Sequence, residues 1–144
     1  MANVRTGAPR PGYDIRVTGD HSPAIARLLS RVRDDADVLA VILFGSQARG
    51  AATAQSDIDV ALVLAGADAT DGARIQLAYL GESDLDITIF QRAPLHVRQR
   101  ILEEGRVLFA RDEDALYAVA IRTVRAWEDF KHIHRMYLDE VARG

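Results

Sequence analysis

The feature that most constrains this chain is the run Val38–Phe44, VLAVILF, which carries no polar residue. Seven residues are too few to span a bilayer. Within them Leu39–Phe44 reads as a strand covered on both faces, since a half-exposed strand would alternate with polar side chains. Such a strand needs a layer on each side, and the flanking sequence supplies candidates. Ser22-Pro23 marks a helix start, with Ser as N-cap and Pro in the first turn. Ile25, Leu28, Leu29 and Val32 then form one helical stripe.

Further elements alternate along the chain. Asp57–Leu64 reads as a second strand with Ile58, Val60, Leu62 and Leu64 on one face. Gly72–Leu80 reads as a helix and Leu85–Phe90 as a third strand. Pro94–Glu104 is a predicted helix that Gly105 caps. Arg106–Ala110 is a short strand, and Asp112–Val141 a long helix. In the long helix Leu116, Ala120, Thr123, Trp127, Phe130, His134, Tyr137 and Val141 keep helical spacing, and Tyr117, Ile121 and Val124 add a second apolar side. A helix apolar over more than one stripe is well buried or meets a partner. The expected fold class is α/β (α+β), a mixed sheet flanked by helices with a long C-terminal helix. Residues 1–20, rich in Gly, Pro and Arg, read as an arm with a short edge strand at Tyr13–Val17. Residues 21–144 read as one domain.

Composition excludes several classes. The chain has no cysteine, so disulfide frameworks, thiol chemistry and Cys-based zinc sites are out. This fits a reducing cytoplasm. The first twelve residues lack the apolar core of a secretory leader. A net charge of −3 gives no cause to expect direct nucleic-acid binding. The four histidines, His21, His96, His132 and His134, show no metal-ligand spacing with acids.

The chemistry concentrates between Leu43 and Leu64, LFGSQARGAATAQSDIDVALVL. Gly45 lets backbone approach a phosphate without a Cβ clash. Ser46 opens a predicted turn, Ser46–Gly50, whose free amides favour an anion. Arg49 reads as a fork donor to the same phosphates, or as a surface charge. Ser56 reads equally as a loop hydroxyl bonded to backbone and as a nucleotide contact. Asp57 and Asp59 are two apart on a strand and share one face, where their oxygens suit Mg²⁺. Asp86 alternates against Leu85, Ile87 and Ile89, so it joins that pair if its strand lies alongside. Three such carboxylates would repel one another without cations, and they form a frame for two-metal phosphoryl transfer.

Gly45-Ser46, ten residues, then Asp57-x-Asp59, in the context FGSQARG…SDIDV and followed by LDITIFQRAPLHVRQRILEEGRVLFARD, resembles the minimal nucleotidyltransferase (MNT) family of the polymerase β superfamily. The resemblance implies the nucleotidyltransferase fold, ATP as substrate, Mg²⁺ held by Asp57, Asp59 and Asp86, and triphosphate held at Gly45-Ser46. Many small members are antitoxins that add AMP to a tyrosine of a HEPN-type RNase toxin, so such a toxin is the implied partner. Members often carry a further acid three residues after the third carboxylate; Ile89 stands there in this chain. Two other readings stay open. One is a binding antitoxin that works by docking with a vestigial triad. The other is a small-molecule, aminoglycoside-like nucleotidyltransferase. About 30 residues after the last strand are few for the acceptor domain of the latter, unless a homodimer supplies the missing wall.

Overall fold

A computed structural model describes residues 22–45, 58–66, 69–79, 81 and 84–143. The 1–20 arm, Tyr13–Val17 and the Ser46–Gly50 turn lie outside the described residues. The elements in chain order are α1 (Ser22–Arg33), β1 (Val38–Phe44), β2 (Ile58–Leu64), α2 (Ala69–Ala78), β3 (Leu85–Ile89), a 3₁₀ turn (Phe90–Arg92), α3 (Leu95–Glu104), β4 (Arg106–Ala110) and α4 (Glu113–Arg143). Strand order is β3-β2-β1-β4. β1 pairs antiparallel with β2 and β4, and β2 pairs parallel with β3. The sheet is therefore mixed, as expected.

β1 is central, and all seven of its residues are buried. Val41 and Leu43 join Val60, Leu62 and Leu64 under the stripe Ile25, Leu28, Leu29 and Val32 of α1 and Ile75 of α2. Ile42 and Phe44 face the other way, with Ala61 and Val63 against Ile101 of α3 and Leu116 of α4. Leu39 and Ala40 both belong to that second cluster because a register shift between Val38 and Ala40 breaks the alternation. Each fully buried aliphatic chain contributes about 1.5–3 kcal/mol, so the two layers hold the sheet from both sides.

Polar contacts lock the edges. The Arg111 guanidinium donates to the carbonyls of Val32 at 2.7 Å, Asp35 at 2.9 Å and Val38 at 3.0 Å. It thus places a cation on the carbonyls that end α1, where the helix dipole is negative. Gln91 pairs its amide with both the N–H and the carbonyl of Leu64, each at 3.0 Å, and so extends the end of β2. The Tyr79 hydroxyl donates to Asp35 Oδ2 at 2.9 Å, tying the end of α2 to the α1–β1 turn.

One expectation needs correction. The second helix starts at Ala69 rather than Gly72. Gly72 lies inside it, where a Cβ would come 2.7 Å from Arg92 Cδ and 3.5 Å from Ile89 Cγ2. Gly105 caps α3 as expected, donating to the Ile101 carbonyl at 2.8 Å in an extended conformation with φ −77° and ψ 159°. Its missing side chain makes room for that carbonyl and for Ile42, so close packing, not a left-handed turn, requires glycine.

α4 has 31 residues, about 46 Å at 1.5 Å per residue. Asp112 caps it, its Oδ1 accepting the Ala115 N–H at 3.1 Å. Only Leu116 and Thr123 are buried. From Phe130 onward its apolar chains are exposed, Ile133 and Tyr137 by 64% each. No helix among the described residues is long and apolar enough to cross a membrane.

Candidate active site

The strand alternation that builds the core also produces the site. Ile58, Val60 and Leu62 on β2, and Leu85, Ile87 and Ile89 on β3, belong to the cluster on the α1 and α2 side. Asp59 and Asp86 therefore lie on the opposite face. The parallel register pairs Asp59 with Asp86 directly, and the antiparallel register pairs Asp59 with Phe44. At Asp59 the inward row of Val63 and Ala61 gives way to a carboxylate, at the end of the sheet where β1 finishes and β2 and β3 begin.

Burial grades across this row. Phe44 is buried, Asp59 half-buried and Asp86 exposed. Adjacent strands lie about 4.8 Å apart. Two carboxylates at that separation repel by roughly 1 kcal/mol in water and about 3 kcal/mol at an effective dielectric of 20. A divalent cation between them reverses the sign, and an oxygen-only pair suits a hard ion such as Mg²⁺.

Gly45 completes the described part of the site. It follows β1 with φ +74°, a conformation that glycine adopts at no steric cost. An ideal Cβ on Gly45 would collide with Asp59 Oδ2, and would lie 3.2 Å from its Cγ and 3.3 Å from its Cβ. The chain thus turns directly against the Asp59 side chain. This second demand on Gly45 is not readable from spacing, because it arises from the β1–β2 register.

Of the predicted site residues, Gly45, Asp59 and Asp86 are brought together at one end of the sheet. Asp57, Ser46, Arg49 and Ser56 lie outside the described residues. Among the described residues no group of three His, Cys, Asp or Glu side chains could hold a metal ion; the third predicted acid, Asp57, is not among them. His96, His132 and His134 are exposed on α3 and α4, away from the two acids in sequence and in element.

Comparison with known proteins agrees with this architecture. A family model described as polymerase beta, nucleotidyltransferase matches residues 26–114. A Methanocaldococcus jannaschii protein named as a protein adenylyltransferase is 34% identical over 94 residues, 65% of this chain and 73% of that protein. Among solved structures, a toxin–antitoxin crystal structure with AMP-PNP gives a TM-score of 0.58 at 24% identity, covering 82% of this chain and 95% of the other. A tri-AMPylated Shewanella oneidensis HEPN toxin in complex with MNT antitoxin gives 0.56 at 20% identity, covering 82% and 95%. At these identities the structural likenesses speak for the fold.

Proposed function

This chain belongs to the polymerase β nucleotidyltransferase family, and on that premise we propose that it is a protein adenylyltransferase of the MNT antitoxin type. Its substrate is ATP, and its acceptor is a tyrosine hydroxyl of a HEPN RNase toxin in the cytoplasm. The observation that carries the reading is the register of Asp59 against Asp86, with Gly45 turning over Asp59. The M. jannaschii relative, named for the same activity, supports the choice of a protein acceptor. The likeness to toxin–antitoxin complexes, one with AMP-PNP and one with an AMPylated toxin, supports ATP and a HEPN partner. In this reading residues 21–144 form one catalytic unit and residues 1–20 an arm.

The donor set fits magnesium, since Asp59 and Asp86 present only carboxylate oxygens. Asp57 and Asp59 would hold the metal, with Asp86 completing the triad. When bound, Mg²⁺ offsets the charge of the triphosphate. The chain's own groups do the rest. Gly45 and Ser46 admit the phosphates to backbone amides, and Arg49 and Ser56 add donors. Asp86, the most exposed acid of the row, accepts the proton of the tyrosine hydroxyl. The hydroxyl oxygen bonds to the α-phosphorus as the bond from that phosphorus to the α,β-bridging oxygen breaks. Pyrophosphate leaves, and AMP remains on the tyrosine.

The test is to mix purified chain, ATP labelled in its α-phosphate, Mg²⁺ and the HEPN protein encoded beside it. Label on the partner that disappears with Asp57→Asn supports the reading. No label, or equal label from that variant, sinks it.

One observation favours a second reading, neutralisation by docking. Among the described residues, the C-terminal half of α4 leaves Phe130, Ile133, Met136, Tyr137, Leu138 and Val141 exposed by 48–64%. Such a face is what a helical partner covers. If Asp57→Asn and Asp59→Asn still protect cells from the toxin, docking alone is sufficient.

A further inference from the structure

We propose that Gly45 is a positioning residue for the Asp59 carboxylate, over and above any approach it allows to phosphate; the inference rests on the reading of Asp59 as a metal-holding group. Three atoms of one side chain, Asp59 Oδ2, Cγ and Cβ, crowd the place where a Cβ of residue 45 would sit. The Asp59 side chain therefore lies along the bare face of Gly45. On the same sheet face its register neighbours are buried Phe44 on β1 and Asp86 on β3. A methyl group at position 45 cannot push the carboxylate into Phe44 without overpacking the core. It must push it toward Asp86, where like charge resists, or out of the row. Mg²⁺ demands near-ideal octahedral geometry at about 2.0–2.1 Å. A carboxylate displaced by a few tenths of an ångström no longer meets that demand.

Position 45 thus makes two separable demands, a positive φ and an empty Cβ site. Asparagine separates them. It tolerates positive φ better than other side-chain-bearing residues, but it brings a Cβ. If φ alone matters, Gly45→Asn is mild and Gly45→Ala severe. If the Cβ site matters, both are severe.

The first experiment needs neither metal nor nucleotide. In a double-mutant cycle of thermal melts, Gly45→Asn lowers the midpoint by about 4 °C or more in the wild-type background. The loss shrinks by at least half when Asp59→Ala removes the carboxylate it collides with. The second is a Mn²⁺ titration of the full chain followed by electron paramagnetic resonance. Gly45→Asn and Gly45→Ala both weaken Mn²⁺ binding by about 10- to 100-fold, the range seen when the groups that orient a metal ligand are lost. Equal midpoint losses in both backgrounds, or Mn²⁺ binding by Gly45→Asn at the wild-type level, overturn the proposal. Coupling in the melts without Mn²⁺ binding by the wild-type chain also overturns it as a metal-positioning role, and overturns the metal reading of Asp59 with it. Coupling and Mn²⁺ loss without AMP transfer to any partner leave Gly45 in its role and remove only the proposed acceptor chemistry.

Discussion

Asp59 and Asp86 stand side by side on the parallel strands β2 and β3, paired in register on the face opposite the Ile58, Val60 and Ile87 side of the core. Their like charges repel across the pair, a cost that a cation between them would offset. Asp86→Asn should therefore leave the metal-free melting midpoint unchanged or raise it slightly, within about 0.5 kcal/mol, and Asp59→Asn is read through its activity. Each should lower AMP transfer by about 100-fold or more. Melts with and without Mg²⁺ make the contrast direct: the cation should raise the wild-type midpoint and leave that of the double variant in place.

Arg111 should matter for stability and not for chemistry. Its guanidinium bonds to carbonyls of Val32, Asp35 and Val38, joining the end of α1 to the start of β1 from the end of β4. Arg111→Ala removes these charge-assisted bonds, while the Val32 and Asp35 carbonyls keep the N–H groups of Asp35 and Val38, and it should cost about 1.5–3 kcal/mol in urea unfolding. Arg111→Lys should recover less than half, because a single ammonium cannot reproduce the fork. Activity per folded molecule should stay at the wild-type level for both.

The glycines divide sharply. Gly105→Ala sets a methyl against the Ile101 carbonyl and the Ile42 side chain, and should cost about 1–3 kcal/mol. At Gly81 nothing lies within 4 Å of a new Cβ. Gly81→Ala should be neutral or stabilising by up to about 1 kcal/mol, through the unfolded chain. Gly72→Ala falls between, because it gains helix propensity while its nearest obstacle is the flexible Arg92 side chain. Chemical denaturation of the three variants ranks them.

The far half of α4 should be silent in stability and active in association. Ile133 and Tyr137 are each 64% exposed, so Ile133→Asp and Tyr137→Ser should change unfolding free energy by no more than about 0.5 kcal/mol. Calorimetry against the HEPN partner should show the double variant binding at least tenfold more weakly. Unchanged affinity would place the partner elsewhere on this chain.

Much of the fold was legible because it follows from periodicity. The stripe Ile25, Leu28, Leu29, Val32, the uniformly apolar β1, and β4 at Arg106–Ala110 all stand where their patterns put them. Patterns lose their hold where contacts come from far along the chain. Gly72 reads as a boundary and is a packing site against Arg92; Gly105 reads as a helix cap, which it is, and is also a clearance for Ile42. No local pattern marks Arg111, since its acceptors lie more than 70 residues away. In α4 the eight-residue stripe predicts the helix well but not its burial, because Leu116 meets the sheet and Tyr137 does not. In the site, strand alternation predicted the faces of Asp59 and Asp86, and the expected adjacency of their strands is observed. The contact of Gly45 with Asp59 depends on the β1–β2 register, which no local pattern encodes.

The most direct measurement is transfer of α-phosphate label from ATP to the HEPN partner, read by mass spectrometry at the modified residue. The expected result is an AMP adduct on a tyrosine, dependent on Mg²⁺ and lost with Asp57→Asn, Asp59→Asn or Asp86→Asn. An adduct of the same yield from any of these three variants, or no adduct from a wild-type chain that binds the partner, would contradict the proposed role of the carboxylate row.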